Sequence, residues 1–198
     1  MHFESGHIYH LYNRSINNEL LFTSRKNYLF FLKKIRENIK PYADIYAWCL
    51  MPNHFHLMIE VNNVYFTKVF EAGYSKEINL NSSIGILLSS YTHAINKSLK
   101  RKGSLFQQHT KAECMTKAIK ISPVWFNTFD GALLNRTLTE KEYPSVCFEY
   151  IHNNPVNAGL VQKASQWEFS SYRDYFSNRK GTLVNFEKGR RFINNTNS

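Results

Sequence analysis

Two histidines separated by one residue, His54 and His56, are the side chains of this sequence whose spacing is best suited to holding a metal ion. Side chains alternate between faces along a β-strand, so residues i and i+2 point the same way. Two imidazoles on one face can chelate a divalent ion and leave positions for a third protein ligand, water and a phosphate oxygen. Phe55 between them would point into the core. Two surface histidines without a metal are the alternative that the pair alone leaves open.

Strands and helices around this pair follow from the pattern of apolar residues. Residues 44–50 are apolar on both faces, as in an interior strand, and residues 51–53 interrupt them before a strand at 55–61. An earlier strand is predicted at 7–14. Apolar residues recur at helical spacing after Ser24 to about residue 40, and again over 80–100. A further helix is expected to begin at Pro144 and end at about residue 153, ahead of Pro155.

The segments between these elements are harder to interpret. Residues 62–79 are predicted to be an irregular connection, with a short helix as the alternative. Residues 115–142 contain both aromatic residues and breakers, which indicates an irregular insert. The last twenty residues are polar and are expected to form a tail. No repeat or linker is evident, and 198 residues are enough for one domain covering 1–198 with a substantial core.

The charge balance favours a polyanionic partner. The chain has 25 Lys and Arg against 15 Asp and Glu, a formal net charge of +10. Each phosphate that such a protein neutralises releases a condensed counterion, which favours nucleic acid. Solvated helix faces are the alternative for any single basic run. The cationic residues considered for phosphate contact are Arg14, Lys97, Lys100, Arg101, Lys102 and Lys111.

Several classes of protein are disfavoured. No run of 18 or more apolar residues is present, which argues against a membrane span, and the first residues lack the pattern of a secretory signal. The three cysteines are too scattered for a disulfide framework or a zinc knuckle. The sequence therefore predicts a cytoplasmic protein without a membrane partner.

Taken together, the motifs resemble a known family. Residues 48–57 (WCLMPNHFHL) resemble the signature of the HUH transposases with one catalytic tyrosine, in which U is a hydrophobic residue. More narrowly, the sequence resembles the REP-associated tyrosine transposases and their insertion-sequence relatives. Three other stretches support this in the family's order, and the match covers roughly residues 7–176. They are residues 10–14 (HLYNR), 104–108 (SLFQQ) and 150–161 (YIHNNPVNAGLV), followed by 167–172 (WEFSSY).

This resemblance implies a ferredoxin-like α+β fold, with an antiparallel sheet whose central strand carries the histidines. It implies that His54 and His56 bind Mg²⁺ or Mn²⁺, that Asn154 is the third ligand and that Tyr150 is the nucleophile. Residues i and i+4 share one face of a helix, so Tyr150 and Asn154 can address the same phosphate. From spacing alone, however, Tyr150 would be a core residue on an apolar stripe.

The activity implied is cleavage and rejoining of single-stranded or hairpin DNA during transposition, through a 5′-phosphotyrosine link. Relatives include dimers and monomers, so a homodimer is one of two options. The long segment between Gln108 and Tyr150 departs from the family pattern. Two alternatives stay open: a DNA-binding protein without catalysis, and a hydrolase that uses water instead of Tyr150. Glu60 is a weak candidate for a general base, and His152 is expected at the surface or in a cap.

Overall fold

The computed structural model describes residues 1–69, 72–117 and 142–193, and its centre is a four-stranded antiparallel sheet. The strands are β1 (Ile8–Arg14), β2 (Ala43–Met51), β3 (His54–Val61) and β6 (Lys111–Cys114), in the order β2-β3-β1-β6. With a helix after β1 and another after β3, this is the ferredoxin-like arrangement that was predicted. The interior strand β3 is the one that begins with the two histidines.

One face of the sheet is covered by two helices, α1 (Arg25–Asn38) and α2 (Leu80–Leu99). Their buried stripes meet alternate residues of the strands in a single apolar core. Asn79 caps the start of α2, since its side chain accepts a hydrogen bond from the Ser82 backbone at 2.8 Å. Both helices lie close to their predicted bounds because the apolar spacing that defines them is local.

The opposite face is covered by α3 (Glu142–Asn157), which packs mainly on β2 and also on β3. A second apolar cluster fills this interface, with Cys147, Phe148 and Ile151 of α3 against the sheet. The sheet therefore lies between two helical layers. Its histidine-bearing face looks toward α3.

Strand β2 is buried on both faces, as predicted, but it lies at the edge of the sheet and not in its interior. Its outer backbone is paired by segments that follow α3: Leu50 N–H donates to the Phe169 carbonyl at 2.8 Å, and Asn185 N–H donates to the Ile45 carbonyl at 2.8 Å. Helices α4 (Tyr172–Phe176) and α5 (Phe186–Gly189) belong to these segments. Such cover protects an edge strand from pairing with another chain.

The segments that were predicted to be irregular differ from that prediction where the structure describes them. The connection predicted to be irregular at 62–79 instead contains two strands in its described residues: β4 (Tyr65–Val69) and β5 (Ser75–Asn79) form an antiparallel ribbon. The prediction of an irregular segment or short helix was wrong because Tyr65, Phe66 and Val69 are strand formers whose pairing partners lie in a later segment, which a local pattern does not show.

Most of the insert predicted at 115–142 lies outside the described residues. The described part of the C-terminal segment is packed through Ile193, with Leu183, Val184 and Phe192 buried.

Candidate active site

The two histidines lie on one face of β3 because of the strand's alternation. His56 is buried and His54 is partly exposed, and the centroids of their rings are 5.0 Å apart. Phe55 between them is buried in the apolar core on the other face, as predicted. Backbone pairing of β3 with both β1 and β2 fixes the histidine-bearing strand from two sides.

Helix α3 brings Tyr150 and Asn154 to this histidine pair. The Oδ1 atom of Asn154 lies 3.3 Å from Nε2 of His54, and the Tyr150 ring centroid lies 5.5 Å from that of His56. Asn154 is buried and Tyr150 is half-buried. Four side chains from two elements that are far apart in the sequence therefore converge.

Helix α3 continues past Pro155, although a helix end before this proline was predicted. Proline removes one backbone donor, but the next turn is closed by the Ala158 N–H, which donates to the Asn154 carbonyl at 2.9 Å. The helix ends after Asn157, and Gly159 then adopts a positive φ of 66°. Asn154 consequently lies inside the helix and one turn after Tyr150.

Both histidines of the pair are neutral near pH 7. Burial lowers the pKa of His54 to about 4; the hydrogen bond to Asn154 opposes this shift and the charge of Arg14 adds to it. Burial, with smaller contributions from His54 and His10, also holds the pKa of His56 well below its ordinary value. A neutral imidazole keeps one lone pair, which is the form that binds a metal.

The hydrogen-bond partners of the His54 ring are arranged as expected for a site that binds a cation. Nδ1 of His54 is 2.7 Å from Oδ1 of Asn53, and Nε2 faces Oδ1 of Asn154. A neutral imidazole has one N–H, so it can donate to only one of these two oxygens. With Nδ1–H donating to Asn53, two lone pairs face each other at a separation close to the roughly 3 Å between neighbouring ligands of an octahedral ion. An ion between them would satisfy both.

His56 gives a second indication of the same kind. Its Nε2 atom is buried and has no hydrogen-bond partner among the described residues. Buried polar atoms are normally paired, so such atoms require an explanation. The described part of the chain has no group of three or more His, Cys, Asp and Glu side chains suited to a metal. The donor set that fits is thus two imidazoles and one amide.

Arg14 and Lys111 border the site on the same face of the sheet. Arg14 pairs directly with His54 in the strand register, and Tyr12 pairs with His56 on one side and Lys111 on the other. Directly paired residues project from the same face. Of the predicted phosphate contacts, these two lie on the histidine-bearing face of the sheet, Arg14 next to His54 and Lys111 one strand further away.

The other four predicted phosphate contacts are not brought to this face. Lys97, Lys100 and Lys102 are exposed at the C-terminal end of α2, which packs on the opposite side of the sheet. Arg101 donates to a carboxylate oxygen of Glu19 at 3.0 Å and is engaged in that ion pair.

Two neighbours of the histidines were missed by the sequence reasoning. His10 lies beside His56, with Nε2 of His10 2.9 Å from Nδ1 of His56, and burial lowers the pKa of His10 to about 3. Tyr12 stacks on His10 at a centroid distance of 4.7 Å and donates to Glu113 at 2.7 Å. The signal was available in the alternation of the HLYNR stretch, which puts both on one face.

Two other expectations were wrong. Glu60 is not a base at this site: it accepts hydrogen bonds from Tyr46 and, at 2.9 Å, from Arg191, three alternations from His54 along β3. His152 is buried and not at the surface, and its Nε2 lies 2.7 Å from Oγ of Ser171. The segment after α3 folds back over this side of the helix, which the helix pattern alone does not reveal.

The fold and the site together define an α+β protein in which a His-Phe-His strand faces a helix carrying a tyrosine and an asparagine. A solved structure described as a REP-associated tyrosine transposase bound to a REP hairpin has a similar fold, with a TM-score of 0.55 over 87% of this chain and 80% of that chain. Sequence identity is 18%. The predicted resemblance is thus confirmed at the level of the fold. No protein-family model matches the sequence, and no curated protein matches it.

None of the helices in the described ranges is long and apolar enough to cross a membrane.

Proposed function

We propose that this chain is a DNA transposase of the HUH single-tyrosine type, related to the REP-associated tyrosine transposases. The observation that carries the proposal is the convergence of Tyr150 and Asn154, one turn apart on α3, on the His54–His56 pair of β3. Motif order along the sequence and the shared fold add support. The net charge of +10 suits a DNA partner, and hairpin DNA is the form named for the neighbour.

Tyr150 is the proposed nucleophile. Its phenolic oxygen attacks the phosphorus of a single-stranded phosphodiester, a Tyr–O–P bond forms and the bond to the 3′ oxygen breaks. The phenolic proton is lost to solvent, and the departing oxygen takes one up to become a 3′-OH. Because the phosphodiester energy is kept in the 5′-phosphotyrosine, a second 3′-OH can attack it and rejoin the strand without ATP.

His54, His56 and Asn154 are the proposed ligands of a divalent ion, Mg²⁺ or Mn²⁺. When bound, the ion would polarise the scissile phosphate and stabilise the charge that develops on it. The buried neutral imidazoles supply lone pairs without a proton to displace. Arg14 and Lys111, on the same face, are proposed to hold phosphates on either side of the reacting one.

Tyr150 is distinguished from its neighbour Tyr12 by its surroundings. Burial, followed by the hydrogen bond to Glu113, raises the pKa of Tyr12 far above its ordinary value. A phenol held neutral as a donor to a carboxylate is a poor nucleophile. Tyr12 is therefore proposed to be a supporting residue of the site and not its nucleophile.

The test is a denaturing gel of the purified chain with single-stranded oligonucleotides, including random and hairpin sequences, in the presence of Mn²⁺. Because the covalent link forms at a 5′ phosphate, a 3′ label should shift by the mass of the protein and a 5′ label should appear as a shortened free strand. Tyr150→Phe and EDTA should each abolish both products. Tyr172→Phe, a tyrosine change on α4 outside the site, should retain them.

The other outcomes separate the alternatives. DNA binding without an adduct in any lane would favour a DNA-binding protein without catalysis. Cleavage that persists in Tyr150→Phe would show that water is the nucleophile and would overturn the proposal.

A further inference from the structure

His10 and His56 form a buried pair of imidazoles between the two inner strands of the sheet. Nε2 of His10 lies 2.9 Å from Nδ1 of His56, and the rings are close to parallel, with an interplanar angle of 20° and centroids 5.1 Å apart. The exposed fractions are 0% for His10 and 4% for His56. A contact of this length between two ring nitrogens is a hydrogen bond with one proton between them.

The position of that proton decides what His56 can do. If Nε2 of His10 donates, Nδ1 of His56 is the acceptor, and the single proton of the neutral His56 ring lies on Nε2. If Nδ1 of His56 donates, Nε2 of His56 keeps its lone pair. A ring nitrogen that carries a proton is not a ligand, so only the second arrangement lets Nε2 bind a metal.

Burial alone does not decide between the two arrangements, because the first places a ring proton on the buried Nε2 of His56 and the second places one on the buried Nδ1 of His10. The geometry of the neighbouring ligand in the proposed metal site favours the second arrangement. This ligand is His54: its Nδ1 has Asn53 Oδ1 as a partner at 2.7 Å, and its Nε2 faces Asn154. Both rings thus have a partner on Nδ1 and present Nε2 to the same place.

We propose that His10 is a positioning residue that accepts the Nδ1–H of His56, and so fixes the tautomer and ring orientation in which His56 Nε2 is presented to the metal. Stacking on Tyr12 at an interplanar angle of 28° holds the His10 ring in place. Outer partners of this kind orient metal-binding histidines in many sites. The proposal rests on the metal site of the proposed function, and it assigns to an imidazole the role that a carboxylate or carbonyl commonly has.

Two measurements test it without DNA or turnover. The first is long-range ¹H–¹⁵N NMR of the metal-free protein at pH 7.5, in which His56 should be the Nδ1–H tautomer. The second is the Kd for Mn²⁺, measured by electron paramagnetic resonance, for the wild type and three variants. His10→Leu removes the acceptor and should raise the Kd by about 10- to 100-fold. His10→Gln, whose side-chain oxygen reaches the same position, should restore most of the affinity.

His152→Leu is the matched control, since His152 is a buried histidine on the α3 side of the sheet whose Nε2 lies 2.7 Å from Oγ of Ser171. It should lower the unfolding temperature about as much as His10→Leu and leave the Kd for Mn²⁺ within threefold of the wild type. Equal Kd values for His10→Leu and His152→Leu, or an Nε2–H tautomer of His56 in the wild type, would overturn the role of His10 alone. A wild-type chain that binds no Mn²⁺ would overturn the metal site as well.

Discussion

The two faces of the central sheet are made by alternate residues of the same strands, yet their chemistry differs. Toward α1 and α2, strand β3 presents Phe55, Leu57 and Ile59 to an apolar core. Toward α3 it presents His54 and His56, flanked across the sheet by polar and charged side chains of β1 and β6. The first face is an apolar packing surface, whereas the second combines a smaller apolar cluster with buried polar groups that need partners.

This difference separates stability from chemistry along a single strand. An apolar side chain contributes through the area it removes from water and the space it fills, and needs no particular partner atom. A buried imidazole or amide is tolerated only with a hydrogen bond or a bound ion, so its position is set by specific atoms on other strands and on α3. Substitutions on the two faces should therefore have different consequences.

The sharpest contrast compares adjacent residues of β3. Phe55→Ala should lower the free energy of unfolding by about 3–5 kcal/mol, because it leaves a cavity in the apolar core. His54→Ala should abolish measurable Mn²⁺ binding and adduct formation while changing the unfolding free energy of the metal-free protein much less. Urea unfolding and Mn²⁺ titration of both variants measure these effects. Similar stability losses for the two variants would contradict the separation of the faces.

Lowering the pH should reduce the free energy of unfolding, because the buried imidazoles stay neutral in the folded protein. Burial, with a smaller contribution from Arg179, lowers the pKa of His152 from 6.5 to about 3. Below pH 6.5 the unfolded chain binds a proton at His152 that the folded chain does not. The contribution of the neutral His152 to the free energy of unfolding is therefore complete above pH 6.5 and is lost as the pH falls toward 3. Between pH 7 and pH 5 the loss from His152 should be about 2 kcal/mol.

Unfolding in EDTA at several pH values checks this prediction, with His152→Gln as the variant that cannot titrate. The slope of the unfolding free energy against pH should be smaller in this variant by the amount that corresponds to about one proton taken up on unfolding. The other buried histidines should maintain a residual slope. An identical slope in the variant and the wild type would show that His152 is accessible to protons in the folded state.

A smaller effect is expected where α3 is joined to the sheet. Tyr143, at the start of α3, donates to Glu113 of β6 at 3.0 Å, and Glu113 also accepts from Tyr12. Tyr143→Phe should lower the unfolding free energy by about 1–2 kcal/mol, since the lost hydrogen bond has a carboxylate acceptor. Tyr65→Phe, at an exposed position of β4, should change it by less than about 0.5 kcal/mol. Equal changes in thermal or urea unfolding would argue against this link.

The smallest expected effect concerns DNA affinity. Lys111 borders the histidine-bearing face, whereas Lys26 is exposed on α1 behind the other face. Lys111→Gln should reduce the slope of log K against log salt for single-stranded DNA by about 0.7, the value for one lost phosphate contact. Lys26→Gln should leave that slope unchanged. Fluorescence anisotropy over a range of salt concentrations measures both, and equal slopes would remove Lys111 from the proposed DNA-binding face.

Much of the fold could be predicted because it depends on local pattern. Alternation along β3 was enough to predict that Phe55 is buried and that both histidines share the other face. Helical spacing located α1 and α2. The ferredoxin-like arrangement came from the family resemblance that the ordered motifs carry. The pairing of Tyr150 with Asn154 came from that resemblance together with their i, i+4 spacing on a helix.

What could not be predicted depends on which elements meet in space. The contact of His10 with His56 requires the register between β1 and β3, and the burial of His152 requires the path of the chain after α3. The β4–β5 ribbon depends on pairing across a turn. The helix passes through Pro155 because the neighbouring backbone closes the next turn, whereas a local rule favours a helix end.

The central claim is that Tyr150 forms a covalent bond to DNA. The most direct test is to incubate the chain with a cleavable oligonucleotide and Mn²⁺, digest the DNA with nuclease and the protein with trypsin, and map the nucleotide by tandem mass spectrometry. The peptide of residues 142–163 carries both Tyr143 and Tyr150, so fragmentation distinguishes them. The nucleotide mass should lie on Tyr150. Its presence on Tyr143 or Tyr12, or DNA cleavage without any modified tyrosine, would contradict the account.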